Sequence, residues 1–223
     1  MSSRSVIGQC RDFRTYVFDC DGVVLDSNKV KTDAFYKTAL PYSEAAARQL
    51  VDYHVRNGGI SRYKKFDYFL NVIVAGQDGP GLDTMLESYS EKVREGLLTC
   101  QVAPGLECLR VATQAASWMI VSGSEQSELR EVFRVRGLND LFDAGIYGSP
   151  DSKDQILHCQ LQHDTIRKPA VFLGDSRYDY EASIRAGLDF IFVSDWSEAA
   201  FDLSEALTSV GSLQDLLDSS NPN

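Results

Sequence analysis

The sequence predicts an α/β fold: a doubly wound parallel sheet with one helical insert. Three observations carry this. Short apolar, β-rich runs fall at 15–18, 117–121, 144–147, 170–173 and 190–193. Several are continuous rather than alternating, as strands buried on both faces of a parallel sheet should be. From residue 102 onward, helical patterns at 105–116, 125–136, 153–162 and 178–186 fill the gaps. Strand alternating with helix is the pattern of parallel strands joined by crossover helices. The third observation is the gap between the first two strands. It runs from 25 to 101, far too long for one crossover, and contains no convincing strand.

Within that gap the spacing predicts helices at 29–40, 43–56, 61–75 and 82–98. In the third, Tyr63, Phe66, Phe69, Leu70 and Ile73 recur at helical spacing and should hold a small helical unit together. The expected division is a core domain of 1–24 and 103–223 and an inserted helical domain of 25–102. The two chain crossings, near 24–26 and 102–105, should lie close together and act as hinges. There is no internal repeat, and 219–223 is expected to be disordered.

With 223 residues, the chain suffices for such a core plus insert. Hydrophobic content of 43% and charged content of 24% are those of a soluble globular protein. The net charge is −10, from 22 basic and 32 acidic residues, and argues against a nucleic-acid partner. It leaves an anionic substrate open, because a metal and a few placed cations reverse a local field. No apolar run reaches the roughly 18 residues of a membrane span, and the polar stretch 1–14 has no signal-peptide core. The five cysteines, Cys10, Cys20, Cys100, Cys108 and Cys159, are scattered without a Cys-x-x-Cys, and read as free thiols in a reducing cytoplasm.

Four strand ends carry the chemistry. The first run leads straight into Asp19-Cys20-Asp21-Gly22-Val23. Two carboxylates this close are costly to bury unpaired, and a cation would relieve them. A calcium loop does not fit, because the glycine comes too early and Val23 stands where an oxygen ligand is needed. The second end is Ser122-Gly123-Ser124, where hydroxyls and N–H groups before a helix suit a phosphate. Ser122 and Glu125 also have capping-box spacing, and Ser124 could cap equally well. The third is Lys153, just before a helix. The fourth is Gly174-Asp175-Ser176-Arg177-Tyr178-Asp179, whose aspartates also fit a helix cap and first turn. Taken together, Asp/Asp, Ser, Lys and Asp/Asp at one sheet edge suit a hard cation and a phosphate, with magnesium the best match.

This ordered set resembles the haloacid dehalogenase (HAD) superfamily: Asp-x-Asp-Gly-Val at 19–23, the strand-end serine at 122, the lysine at 153, and Gly-Asp-x-x-x-Asp at 174–179. The likeness spans nearly the whole chain, and the insert is of the kind that family calls a C1 cap. Asp154 departs from the proline that often follows the lysine. The resemblance implies a Rossmann-like core and roles by position. Asp19 would be the nucleophile that forms an aspartyl-phosphate, and Asp21 the acid/base. Asp19, Asp175 and the backbone carbonyl of Asp21 would hold Mg2+. Ser122, Gly123 and Lys153 would bind the phosphoryl group, with Asp179 behind Lys153 or a metal-bound water. Asp21 favours phosphate esters over halides, since halide needs no proton on leaving. Asn57-Gly58-Gly59-Ile60-Ser61-Arg62 resembles the cap specificity loop of the phosphoglycolate phosphatase and beta-phosphoglucomutase branch. That implies Gly59, Ser61 and Arg62 as substrate contacts. His54, one turn earlier, reads as a packing or surface residue, and His158 and His163 lack metal-ligand spacing. The expected activity is that of a cytoplasmic Mg2+-dependent phosphatase acting on a small phosphorylated metabolite, a sugar phosphate or phosphoglycolate-like acid. A sugar phosphomutase is the alternative, and an inactive binding module a more distant one.

Overall fold

The computed structural model describes residues 13–198 and 208–218. Its strands are β1 Thr15–Phe18, β2 Ser117–Glu125, β3 Ile146–Ser149, β4 Ala170–Gly174, β5 Asp189–Val193 and β6 Thr208–Val210. All pair in parallel, in the order β3-β2-β1-β4-β5-β6. β6 adds to the five strands that the sequence predicts. It is three residues long with one buried side chain, Val210, too short for any periodicity to show.

Four consecutive buried residues in β1 alternate between the two faces of the sheet. Tyr16 and Phe18 join Trp118 and Ile120 on one face, under α5 Leu106–Ala112, α6 Gln126–Val135 and α9 Asp215–Asp218. Val17, Met119 and Phe172 lie on the other, under α7 Lys153–Gln162 and α8 Arg177–Ala186. Cys20 packs with the first set, as alternation requires, and is a free thiol, as are Cys100, Cys108 and Cys159. Cys10 and the tail 219–223 lie outside the described residues. No helix among the described residues is long and apolar enough to cross a membrane.

Between β1 and β2 stand α1 Asn28–Ala39, α2 Glu44–Arg56, α3 Arg62–Tyr68 and α4 Leu82–Thr99. Phe35, Phe66 and Tyr89 meet at their centre, with ring centroids 4.4–5.7 Å apart. The helix expected over 61–75 is only partly α. Phe69–Ile73 is a π-helical turn, and Val74 N donates to Phe69 O five residues back. That extra residue turns Val74 inward beside Phe69, both buried. Tyr63 departs from the expected stripe and is 37% exposed. The crossings do run side by side: Asp26 N donates to Gln101 O and Ala103 N to Val24 O, both at 2.9 Å.

Other boundaries move for local reasons. α5 stops at Ala112 because the Thr113 hydroxyl turns back to Leu109 O and then accepts from Trp118 Nε1. β3 starts two residues later than expected because Gly145 has φ +104°, outside strand geometry.

The core depends on Phe18, whose ring lies 4.6 Å from Trp118 and 5.7 Å from Phe142. Replacing it with Ala should cost about 3–5 kcal/mol in urea unfolding. A loss below about 1 kcal/mol would mean that this ring cluster does not hold the sheet.

Candidate active site

The strand order reverses between β1 and β4, which leaves a crevice at their carboxyl ends. Asp19 follows β1 and Asp175 follows β4, so adjacent strands deliver both carboxylates to one spot. Ser176 and Asp179 form a capping box that starts α8 and turns Asp179 toward the same crevice. Lys153 begins α7 behind a second capping box, Ser152 with Gln155.

Lys153 Nζ lies 3.0 Å from Asp19 Oδ2 and pairs more closely still with Asp179 Oδ1. Asp19 Oδ1 accepts from Cys20 N at 2.7 Å. Asp179 Oδ2 accepts from Ser176 N and Oγ at 3.1 and 2.6 Å. Asp175 Oδ2 accepts from Asn28 Nδ2 at 2.7 Å. Oxygens of Asp19, Asp175 and Asp179 all lie within 4.8 Å of one another. Burial drives the Asp19 carboxyl up to about 7, even against Lys153. Burial, with Asp19 and Asp179 adding to it, drives Asp175 well above the carboxylate range. Three buried carboxylates facing one ammonium are short of positive charge, and an oxygen-only set this tight fits a hard divalent cation. The set includes the side chain of Asp179, placed by the sequence behind Lys153, where it also stands. Gly22 is required here. Its φ is +77°, and a Cβ would lie 2.2 Å from Asp175 Oδ2.

The side chain of Asp21 points elsewhere. Its Oδ1 accepts from Ser27 Oγ at 2.5 Å, and its Oδ2 from Lys31 Nζ at 2.5 Å and Ser124 Oγ at 2.9 Å. Burial alone would raise this carboxyl, but the Lys31 charge and these hydrogen bonds hold it down at about 2. Sequence reasoning missed Ser27, Asn28 and Lys31, and placed Ser124 at a phosphate rather than on Asp21. These three open α1 directly after the aspartate motif, but nothing in their spacing separates them from an ordinary helix start.

Ser122 is buried, and its hydroxyl accepts from Ser124 N at 3.1 Å. A cavity lies at these strand ends, lined by Asp19, Asp21 and Asp175 together with Gly123 and Ser124. Neither serine caps α6. β2 continues to Glu125, which pairs with Ser149, so the cap falls to Glu125, accepting from Glu128 N at 2.8 Å. Gly123 has no room for a side chain, since a Cβ there would lie 2.2 Å from Gly59 O. The insert loop is thus pressed on the end of β2. Gly59, with φ +77°, lines the cavity, whereas Ser61 lines a neighbouring one beside Lys153. Ser61 stands at the start of α3 without a side-chain capping bond.

Arg62 is buried and lines the cavity too, but its guanidinium is engaged. It pairs with both oxygens of Glu128, donates to Ser90 Oγ at 2.8 Å and lies 4.6 Å from the centre of the Tyr89 ring. His54 is buried on the cavity wall, with Nδ1 2.6 Å from Lys65 Nζ. Asp154 ties α7 to α8 through Arg185 and the Tyr178 hydroxyl, so the missing proline leaves the Lys153 helix anchored.

A sequence model of the haloacid dehalogenase-like hydrolases matches residues 13–187. The chain belongs to this family. No curated protein matches the sequence. Solved structures of similar fold include CbbY from Rhodobacter sphaeroides in complex with phosphate, 17% identical, with a TM-score of 0.70 over 92% of this chain and 99% of that one. YfnB from Bacillus subtilis bound to magnesium is 18% identical, with a TM-score of 0.68 over 94% and 99%. A predicted phosphoglycolate phosphatase from Haemophilus somnus is 15% identical, with a TM-score of 0.72 over 94% and 98%. At these identities the likeness is one of fold: the HAD-type sheet with its helical insert.

The contact between Gly59 and Gly123 is directly testable. Gly123→Ala should unseat the insert loop and speed amide exchange at 58–61 by about tenfold or more. Gly81→Ala, where a Cβ meets nothing within 4 Å, should leave exchange there unchanged. Equal exchange in both variants would show that the loop does not rest on the strand end.

Proposed function

We propose that this HAD hydrolase is a Mg2+-dependent phosphatase that acts on a small phosphorylated metabolite through an aspartyl-phosphate on Asp19. The observation that carries the reading is the unequal setting of the two motif aspartates. Asp19 sits among carboxylates beside Lys153, while Asp21, on the wall of the same cavity, is held by Lys31, Ser27 and Ser124.

Asp19 Oδ attacks phosphorus, and the bond from phosphorus to the substrate's ester oxygen breaks. Lys153 and the Gly123 and Ser124 region would take the transferring oxygens, with Ser122 holding that turn from beneath. The leaving oxygen needs a proton. It would come from the Lys31 ammonium and be relayed by Asp21, which accepts from Lys31 and Ser124, leaving Lys31 neutral. Asp21 then takes a proton from the water that attacks phosphorus and passes it back to Lys31, while the bond from phosphorus to Asp19 breaks and inorganic phosphate leaves. Asp19 and Asp175, with Asp179 beside them and the backbone carbonyl of Asp21, would hold Mg2+. When bound, the ion neutralises the carboxylates and the phosphoryl oxygens. The phosphate and magnesium bound by the two structural relatives support this reading. So does the cavity, which the strand-end aspartates line together with Lys31, Arg62 and Lys65 of the insert.

Asp19→Asn should abolish Mg2+-dependent phosphate release, and retention of the wild-type rate would overturn the assignment. Lys31→Met should separate leaving groups. With an alkyl phosphate kcat should fall about 10²-fold or more. With p-nitrophenyl phosphate, whose leaving group needs no proton, it should change by less than about threefold. Equal losses on both would show that Lys31 takes no part in the proton transfer.

A further inference from the structure

Three basic side chains line the cavity: Lys31, Arg62 and Lys65. Lys31 has Asp21, and Arg62 has both oxygens of Glu128. Lys65 has no carboxylate within ion-pair distance among the described residues. It is 2% exposed, and its ammonium reaches only His54 Nδ1, at 2.6 Å, and the Phe35 ring, 5.4 Å away. An ammonium has three donors and one full charge, and burying it without a counter-ion is expensive. Burial, with Lys31 adding to it, pulls its pKa down to about 7, while the neutral His54 ring offers no charge in return. The cost falls on a residue that borders the cavity from the insert side, opposite the strand-end aspartates.

We propose that Lys65 is a specificity-determining residue: it is the counter-ion for a second anionic group, carboxylate or phosphate, on a short phosphate-ester substrate. The inference rests on the phosphatase reading for the place of the first phosphate. It assigns the second anionic group to Lys65 and leaves Arg62 to bind α3 to α6. Because Lys65 and the strand-end aspartates border one cavity, the two anionic groups would sit on one small molecule. A neutral sugar end would leave the ammonium unpaired, so the pocket selects against it by the cost of a buried lone charge.

The test uses the full chain with excess Mg2+ and three unreactive probes of similar shape. These are propylphosphonate, 3-phosphonopropionate and propane-1,3-diphosphonate, followed by isothermal titration. Wild type should bind one or both of the two-anion probes at least about tenfold more tightly than propylphosphonate. The favoured one distinguishes carboxylate from phosphate. Lys65→Met, which keeps the length of the stem, should bring all three within about threefold. Lys65→Arg should keep part of the preference. No preference in wild type, or a preference that survives Lys65→Met, overturns the proposal. Hydrolysis of p-nitrophenyl phosphate by wild type reads the reaction separately. Turnover without the preference removes the role of Lys65 alone, and the preference without turnover removes the phosphatase reading alone.

Discussion

The site is organised by a charge imbalance. Asp19, Asp175 and Asp179 are buried together, and Lys153 is the ammonium among them. In water such a cluster would cost little. At a dry sheet edge the carboxylates must share protons, take up a cation, or both. The fold accepts this because each carboxylate is fixed by backbone it cannot leave: the end of β1, the end of β4 and the first turn of α8. A substrate phosphate adds more negative charge, which is why the proposed chemistry and the need for a metal come from one cause.

The helical insert is chemically part of this arrangement. Asn28 reaches Asp175, Lys31 reaches Asp21 and Ser124, and Gly59 rests against Gly123. The Arg62–Glu128 pair joins α3 to α6 in the same way. These are contacts between the insert and the sheet domain, so any motion about the paired crossings at 24–26 and 101–103 would break them together. The two aspartates two residues apart therefore differ in what controls them. Asp19 answers to the sheet edge, and Asp21 answers to the insert through Lys31.

The sheet, and the meeting of its strand-end residues, were largely legible in the sequence, because both follow from local rules. Continuous apolar runs gave five strands, and the strand-end aspartates, serine and lysine marked where a parallel sheet brings side chains together. Lys31 and Lys65 were not legible, since a lysine on a helix is normally solvated and only tertiary packing buries it. The same limit applies to Arg62. Its motif is legible, but its pairing with Glu128, 66 residues away, is not. The π-helical turn at 69–73 and the short β6 lack a periodic signal, and the capping of α6 by Glu125 follows from a strand that runs on through Ser122-Gly123-Ser124.

The two motif aspartates are unequal, and in the proposed reaction the phosphoryl group passes to Asp19. Borohydride reduces an acyl phosphate to the alcohol, so quenching steady-state turnover with it and mapping the peptide that spans 15–27 reads the acceptor directly. Homoserine is expected at position 19 and unmodified aspartate at 21, dependent on both Mg2+ and substrate. Homoserine at 21, or sustained phosphate release with no trapped product at 19, would contradict transfer to Asp19.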